Sequence, residues 1–196
     1  MVWRRDVRRF KTEPVPADLL ESLLDIAQLA PSVGNSQPWR WISVESPALR
    51  EAMRDNFRRC NADALAAQPS ADRAALYARL KLSGMDAAPV QLACFCDTAT
   101  PQGAGLGRRT MPAALHYSVA GMLAHLWLAA RAAGVGVGWV TVLDPARAAR
   151  DLAAPEGWEL VAYLCVGWPE EEHPDPELVR HGWQPRTADG RRVLVR

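Results

Sequence analysis

At 196 residues, 49% hydrophobic and 23% charged, the chain has the size and composition of one globular domain spanning 1–196. It is large enough to build a core without a disulfide framework or a structural metal. A net charge of +1 and a pI near 7.7 exclude a general attraction to nucleic acid or to an anionic membrane.

The chain opens on Met1-Val-Trp-Arg-Arg-Asp6, with charges where a secretory signal needs an apolar stretch. Apolar spacing at Leu19, Leu20, Leu23, Leu24, Ile26 and Ala27 predicts a helix with Asp18 as N-cap, ended by Pro31. The alternating segment 38–45 reads as a first strand. Two helices follow, over 47–67 and over 70–84, the second capped by Ser70 or Asp72. The continuous apolar run 90–97 predicts a buried strand. After a loop with Pro101, Gly103, Gly105 and Gly107, the span 112–133 reads as the longest helix, apolar almost all round. Such a helix belongs in a core or a subunit interface, and the apolar stretch 113–143 that contains it is broken by His116, His125, Arg131 and several glycines too often for a membrane span. Strands over 136–143 and 158–168 flank a short helix begun by Asp144 and Pro145. This pattern predicts an α+β domain, a central sheet covered by helices, in a soluble protein.

The four cysteines, Cys60, Cys94, Cys96 and Cys165, lack the spacing of a zinc site and read as free thiols in a reducing cytoplasm. Cys94 and Cys96 share one face of their strand. No metal ligand set stands out. His116 and His125 lie on different faces of one helix and read as core or interface residues, while His173 and His181 flank an acidic stretch and read as solvent-facing.

Two clusters carry chemistry. In Arg4-Arg5-Asp6-Val7-Arg8, guanidinium groups suit bidentate binding of a phosphate. The same cluster also reads as a solvated surface turn, with Asp6 merely paired to Arg8. The run Ala30-Pro-Ser-Val-Gly-Asn-Ser-Gln-Pro-Trp39 makes a rigid loop rich in backbone donors, the kind of segment that holds a cofactor or simply connects helix to strand.

Together with Gly134-Val-Gly-Val-Gly-Trp-Val140, these clusters resemble the nitroreductase-like flavoproteins. Arg4-Arg5-Asp6-Val7-Arg8, Leu80-Lys81-Leu82, Leu126-Trp-Leu-Ala-Ala-Arg131 and Tyr163-Leu-Cys-Val-Gly167 are similar to the flavin-fragmenting branch, the dimethylbenzimidazole synthases. The resemblance runs from Arg4 to Arg186. It implies a central mixed sheet flanked by helices and an intertwined homodimer with FMN at the subunit interface. It also implies that reduced FMN, supplied by a separate flavin reductase, is consumed with O2 to give dimethylbenzimidazole and erythrose 4-phosphate.

Residue by residue, the resemblance implies that Arg4, Arg5 and Arg8, beside Val7, hold the FMN phosphate and the pyrimidine edge of the ring, with Arg186 adding to the phosphate site. Asp6 matches the branch's acid/base, where many ordinary nitroreductases have Ser. Ser32 and Gly34 match the loop over the flavin, and the missing side chain of Gly34 leaves room for O2. Lys81, expected on a polar helix face, matches a flavin contact, as do Gly138 and Trp139. Thr141 stands where the branch has Ser beside flavin N5; it keeps the hydroxyl and adds a β-branched methyl. The segment 61–77 matches a lid, and it also reads as a polar surface helix.

Two other functions remain open on the sequence. One is an NAD(P)H-dependent nitro- or quinone reductase that recycles FMN, toward which Thr141 and Asn35-Ser36 lean. The other is a flavin-storage protein, which would need no acid/base at Asp6.

Overall fold

The computed structural model describes residues 1–187 and 190–195. Helix α1 (Ala17–Ala27) leads through a 3-10 turn at Val33–Asn35 to strand β1 (Trp39–Ser43). Then come α2 (Pro47–Ala66), α3 (Ala71–Ala78), β2 (Val90–Asp97), α4 (Ala114–Ala132), β3 (Gly136–Val140), α5 (Pro145–Asp151), β4 (Trp158–Gly167) and α6 (Glu177–Arg180).

The sheet order is β1-β2-β4-β3 with every neighbouring pair antiparallel. Among the described residues, its parallel component is the single bridge Asp6–Val137, which lays the N-terminal segment along the free edge of β3. A bulge interrupts the β2–β4 register: Cys94 faces Ala162 and Phe95 faces Leu160, leaving Val161 unpaired.

Side chains alternate across the sheet into two cores. On one face Leu92, Cys94, Cys96, Val137, Ala162 and Leu164 pack under α1 and α4. On the other, Ala93, Phe95, Tyr163 and Cys165 pack with Met53 of α2, Ala148 of α5 and Phe10. Phe10 is buried because Gly84 and Gly167 leave it space; a Cβ on Gly84 would stand 2.3 Å from its ring. Burying that ring stabilises the docked N-terminal segment by about 2–3 kcal/mol.

Several boundaries differ from the sequence expectation for local reasons. Asp18 is not the N-cap of α1: Pro16 holds that position and Asp18 lies in the first turn, where its charge favours the helix dipole. Ser70 does cap α3, accepting from the Arg73 amide. That helix stops at Ala78 rather than at 84, so Lys81 sits in extended chain and not on a helix face. Strand β3 ends at Val140, which leaves Thr141 just beyond it. Helix α6 was not expected. His116 and His125 are not core residues: His116 pairs with Glu159 at 2.9 Å, and His125 is exposed, its Nδ1 2.9 Å from the Gly121 carbonyl.

The turn after β3 is fixed by a buried amide. Asn56, 1% exposed, donates from Nδ2 to the Asp144 carbonyl at 3.0 Å and accepts the Asp144 N–H at 2.9 Å. The Asn56→Ala variant leaves both backbone groups unpaired and is expected to lose about 2–4 kcal/mol. A fall in the urea midpoint with unchanged slope is the measurement that checks it.

Candidate functional site

The N-terminal segment crosses β3 only because two glycines let it. A Cβ on Gly138 would stand 2.0 Å from the Val7 carbonyl oxygen, and one on Gly136 would meet the Val7 side chain at 2.9 Å. With that room, the Val7 amide donates to the Val137 carbonyl at 3.0 Å, and Asp6 comes to lie beside Trp139.

Asp6 is held through both oxygens. Oδ1 accepts the Trp139 amide at 2.8 Å and Oδ2 accepts Arg8 Nε at 2.8 Å. Burial raises the Asp6 pKa, and the Arg8 charge and the two hydrogen bonds oppose that rise. The carboxyl is thus fixed in place, still 30% exposed, and shifted toward holding a proton. Arg8 also donates to the Lys81 carbonyl at 2.9 Å, so extended chain after α3 braces the pair. The ion pair that the bland reading foresaw is therefore present, and it restrains a carboxyl that is perturbed as well.

The arginines do not act alike. Arg8 turns inward to Asp6, while Arg4 lies over the Trp127 ring, 5.0 Å from its centroid. Trp127 in turn donates Nε1–H to the Arg5 carbonyl at 3.2 Å and packs on Trp139 with ring centroids 6.3 Å apart. Arg5 bonds the Pro174 carbonyl through Nη2, and its Nε is buried with no partner. Burial and the nearby charges of Arg186 and Arg4 lower the Arg5 pKa. Arg4, Arg5 and Arg186 thus gather positive charge at one place. The indole Nε1 of Trp139 is likewise buried without a partner.

The loop with Ser32 and Gly34 is set apart from this cluster. The Val33 amide donates to Ser118 near the start of α4, whereas Trp127 meets Arg5 nine residues further along that helix. At 1.5 Å per residue the two lie roughly 13 Å apart along the axis. Ser32 Oγ accepts the Gln37 amide at 3.0 Å, and Gly34, Asn35 and Gln37 all have positive φ (57°, 53° and 42°). The room left by the missing Gly34 side chain is not open as expected: the carbonyls of Leu106 and Gly103 lie 3.0 and 3.1 Å from where a Cβ would be. Thr141 is exposed at the end of β3.

Sequence reasoning gave no role to Trp127 or Trp183. Their signal was indirect, since they carry no charge and lie in segments that read as core or tail. The four cysteines are free thiols, and burial pushes Cys96 up to about 11. No described helix is long and apolar enough to cross a membrane, and no cluster of metal-ligating side chains occurs among the described residues.

The model of the nitroreductase family matches residues 1–168. A 5,6-dimethylbenzimidazole synthase of Rhodospirillum rubrum is 57% identical over 184 residues, 94% of this chain and 87% of that one. A protein of the same name from Rhodobacter capsulatus is 47% identical over 182 residues, 93% of this chain and 87% of its own. Among solved structures, an iodotyrosine deiodinase with FMN and 3-iodo-L-tyrosine bound superposes with a TM-score of 0.75 at 26% identity, covering 100% of this chain and 98% of that one.

Proposed function

Since the chain belongs to the nitroreductase family, we propose that it is a 5,6-dimethylbenzimidazole synthase, consuming reduced FMN and O2 and releasing dimethylbenzimidazole and erythrose 4-phosphate. The 57% identity along nearly the whole chain with a protein of that name carries the reading.

The residues present fit FMN. Arg5, with Nε buried and unpartnered, lies beside the charges of Arg4 and Arg186, opposed by Asp175, and so offers the donors and the charge that a phosphate needs. In this reading those three arginines hold the phosphate. Val7, Gly138 and Trp139 form the wall beside the ring, with Lys81 at its border and the Thr141 hydroxyl at the strand end toward the reacting edge. Bound reduced FMN supplies both the electrons for O2 and the carbon skeleton that is cut. Asp6 moves the protons, and Arg8 keeps its carboxyl aimed. Its raised pKa suits a group that must both take and give a proton.

A homodimer completes the site. The exposed apolar residues Ile26 and Leu29, at α1 and just beyond it, and Tyr117 and Leu128 of α4 provide a face for a second copy. Pairing there would bring the Ser32–Gly34 loop of one copy to the arginine cluster of the other, which accounts for their separation within a chain. Free thiols fit a reducing cytoplasm, and a separate flavin reductase supplies the reduced FMN.

The test is single-turnover aeration of the protein loaded with chemically reduced FMN. Permanent loss of the flavin absorbance, with dimethylbenzimidazole identified by mass spectrometry, is expected. Full return of oxidised FMN, with NAD(P)H-driven quinone or nitroarene reduction, would establish an ordinary reductase instead.

A further inference from the structure

The described part of the C-terminal segment is tied to α3 at one point. Trp183 lies between two α3 side chains: the Arg73 guanidinium sits 3.8 Å from its ring centroid, and the Tyr77 ring meets it edge-on at 5.9 Å. Arg73 also donates from Nη1 to the Trp183 carbonyl at 3.2 Å. The receiving surface is rigid. Tyr77 is 8% exposed and its hydroxyl donates to Asn61 of α2 at 2.9 Å, while Ser70 caps the helix at the Arg73 amide. The approach is shaped as well: Gly182, at a φ of 71°, ends α6, and the Trp183 amide bonds back to the Leu178 carbonyl at 2.8 Å.

Three residues after this clamp comes Arg186, and nine residues before it Pro174 accepts the Arg5 guanidinium. The segment is thus fastened at the anion cluster and again at α3, and Arg186 follows the second fastening directly.

We infer that Trp183 is a positioning residue of the anion site: clamped between Arg73 and Tyr77, it holds the chain so that Arg186 stands beside Arg5 to receive a phosphate. The inference rests on the proposed reading that this cluster binds the FMN phosphate. Trp183 itself need touch no ligand. Its contribution is to remove the freedom that Arg186, on an otherwise exposed strand of chain, would lose on binding. It also links the phosphate site to α3, so docking of that helix and capture of the anion support one another.

Equilibrium binding of oxidised FMN and of riboflavin, which lacks the phosphate, tests this by flavin fluorescence. Trp183→Ala is expected to weaken FMN binding about tenfold, the scale of one cation–π and one aromatic contact together, and to leave riboflavin unchanged. Trp183→Phe should recover most of the loss. Arg186→Ala should weaken FMN similarly, and the Trp183→Ala/Arg186→Ala pair should be no worse than Arg186→Ala alone, because both remove the same interaction. Equal weakening of FMN and riboflavin by Trp183→Ala, or additive losses in the pair, overturns the inference and makes Trp183 a general packing residue. If the unaltered protein itself fails to prefer FMN over riboflavin, the phosphate reading falls. If it keeps that preference undiminished in Trp183→Ala, only the positioning role falls.

Discussion

Replacing Asp6 by Asn is expected to lower the yield of dimethylbenzimidazole per aeration by about 10²–10⁴-fold, the usual worth of a positioned acid/base. FMN affinity should change less than tenfold, since the arginines proposed to hold the phosphate are untouched. The Asn amide keeps one acceptor but faces two donors, the Trp139 N–H and Arg8 Nε, so one of these is left opposite an NH2 group. A stability cost of about 1–3 kcal/mol at low pH follows. Its pH dependence has a definite sign. Burial raises the Asp6 pKa in the folded protein, so the stability gained from the protonated form is present at low pH and lost as the pH rises through the folded value. Asn carries no charge to bury, and the deficit of the variant should shrink with rising pH. Parallel urea titrations across the acid range check this, and product quantitation by mass spectrometry checks the activity. Product formed at the parental rate would remove Asp6 from the chemistry.

A single methyl group at Gly138 is expected to do almost as much damage by an unrelated route. Its clash is with backbone, the Val7 carbonyl at 2.0 Å, and backbone cannot rotate away as a side chain does. Gly138→Ala must lift the N-terminal segment off β3. That breaks the Val7–Val137 hydrogen bond and draws Asp6 away from the Trp139 amide. We expect a loss of about 3 kcal/mol in stability, at the upper end for overpacking, and loss of FMN binding by at least about 100-fold. Gly136→Ala is the internal comparison. Its Cβ meets only the Val7 side chain, at 2.9 Å, so about 1 kcal/mol is expected there, with FMN binding largely kept. Thermal unfolding and flavin titration of the two variants side by side decide the matter; equal effects would mean that the close approach of Val7 to Gly138 is not what seats the segment.

The strand–helix order was legible because each element is written in its own local pattern. The run 90–97 is apolar but for Gln91 and its last residue, Asp97, and follows Pro89, and it forms β2 with those limits. Asp144-Pro145 announces the start of α5 by a local cap, the Asp144 side chain accepting the Arg147 amide. The site was partly legible for a different reason: arginines around one carboxylate are conspicuous whatever the fold. Their division of labour was not. The Arg8–Asp6 pair is local and could be read from the spacing, but nothing there says that Arg4 stacks on Trp127 and Arg5 reaches Pro174, because those partners lie far away in sequence. The boundary of α3 failed likewise. Residues 79–84 have helical character, but the Lys81 carbonyl is needed by Arg8 and Gly84 by Phe10. At Gly34 the sequence could not show that the loop at Gly103 and Leu106 packs where its side chain would be.

Strand β3 lies at the rim of the sheet, and its outer backbone is closed by the segment around Asp6 and Val7. An uncovered rim is a template on which a foreign chain can add as a further strand, the usual first step toward aggregation. The stretch that holds the proposed acid/base therefore also caps this rim, so a change in it bears on solubility as well as on turnover. Tags or fusions placed at Met1 load this seam directly.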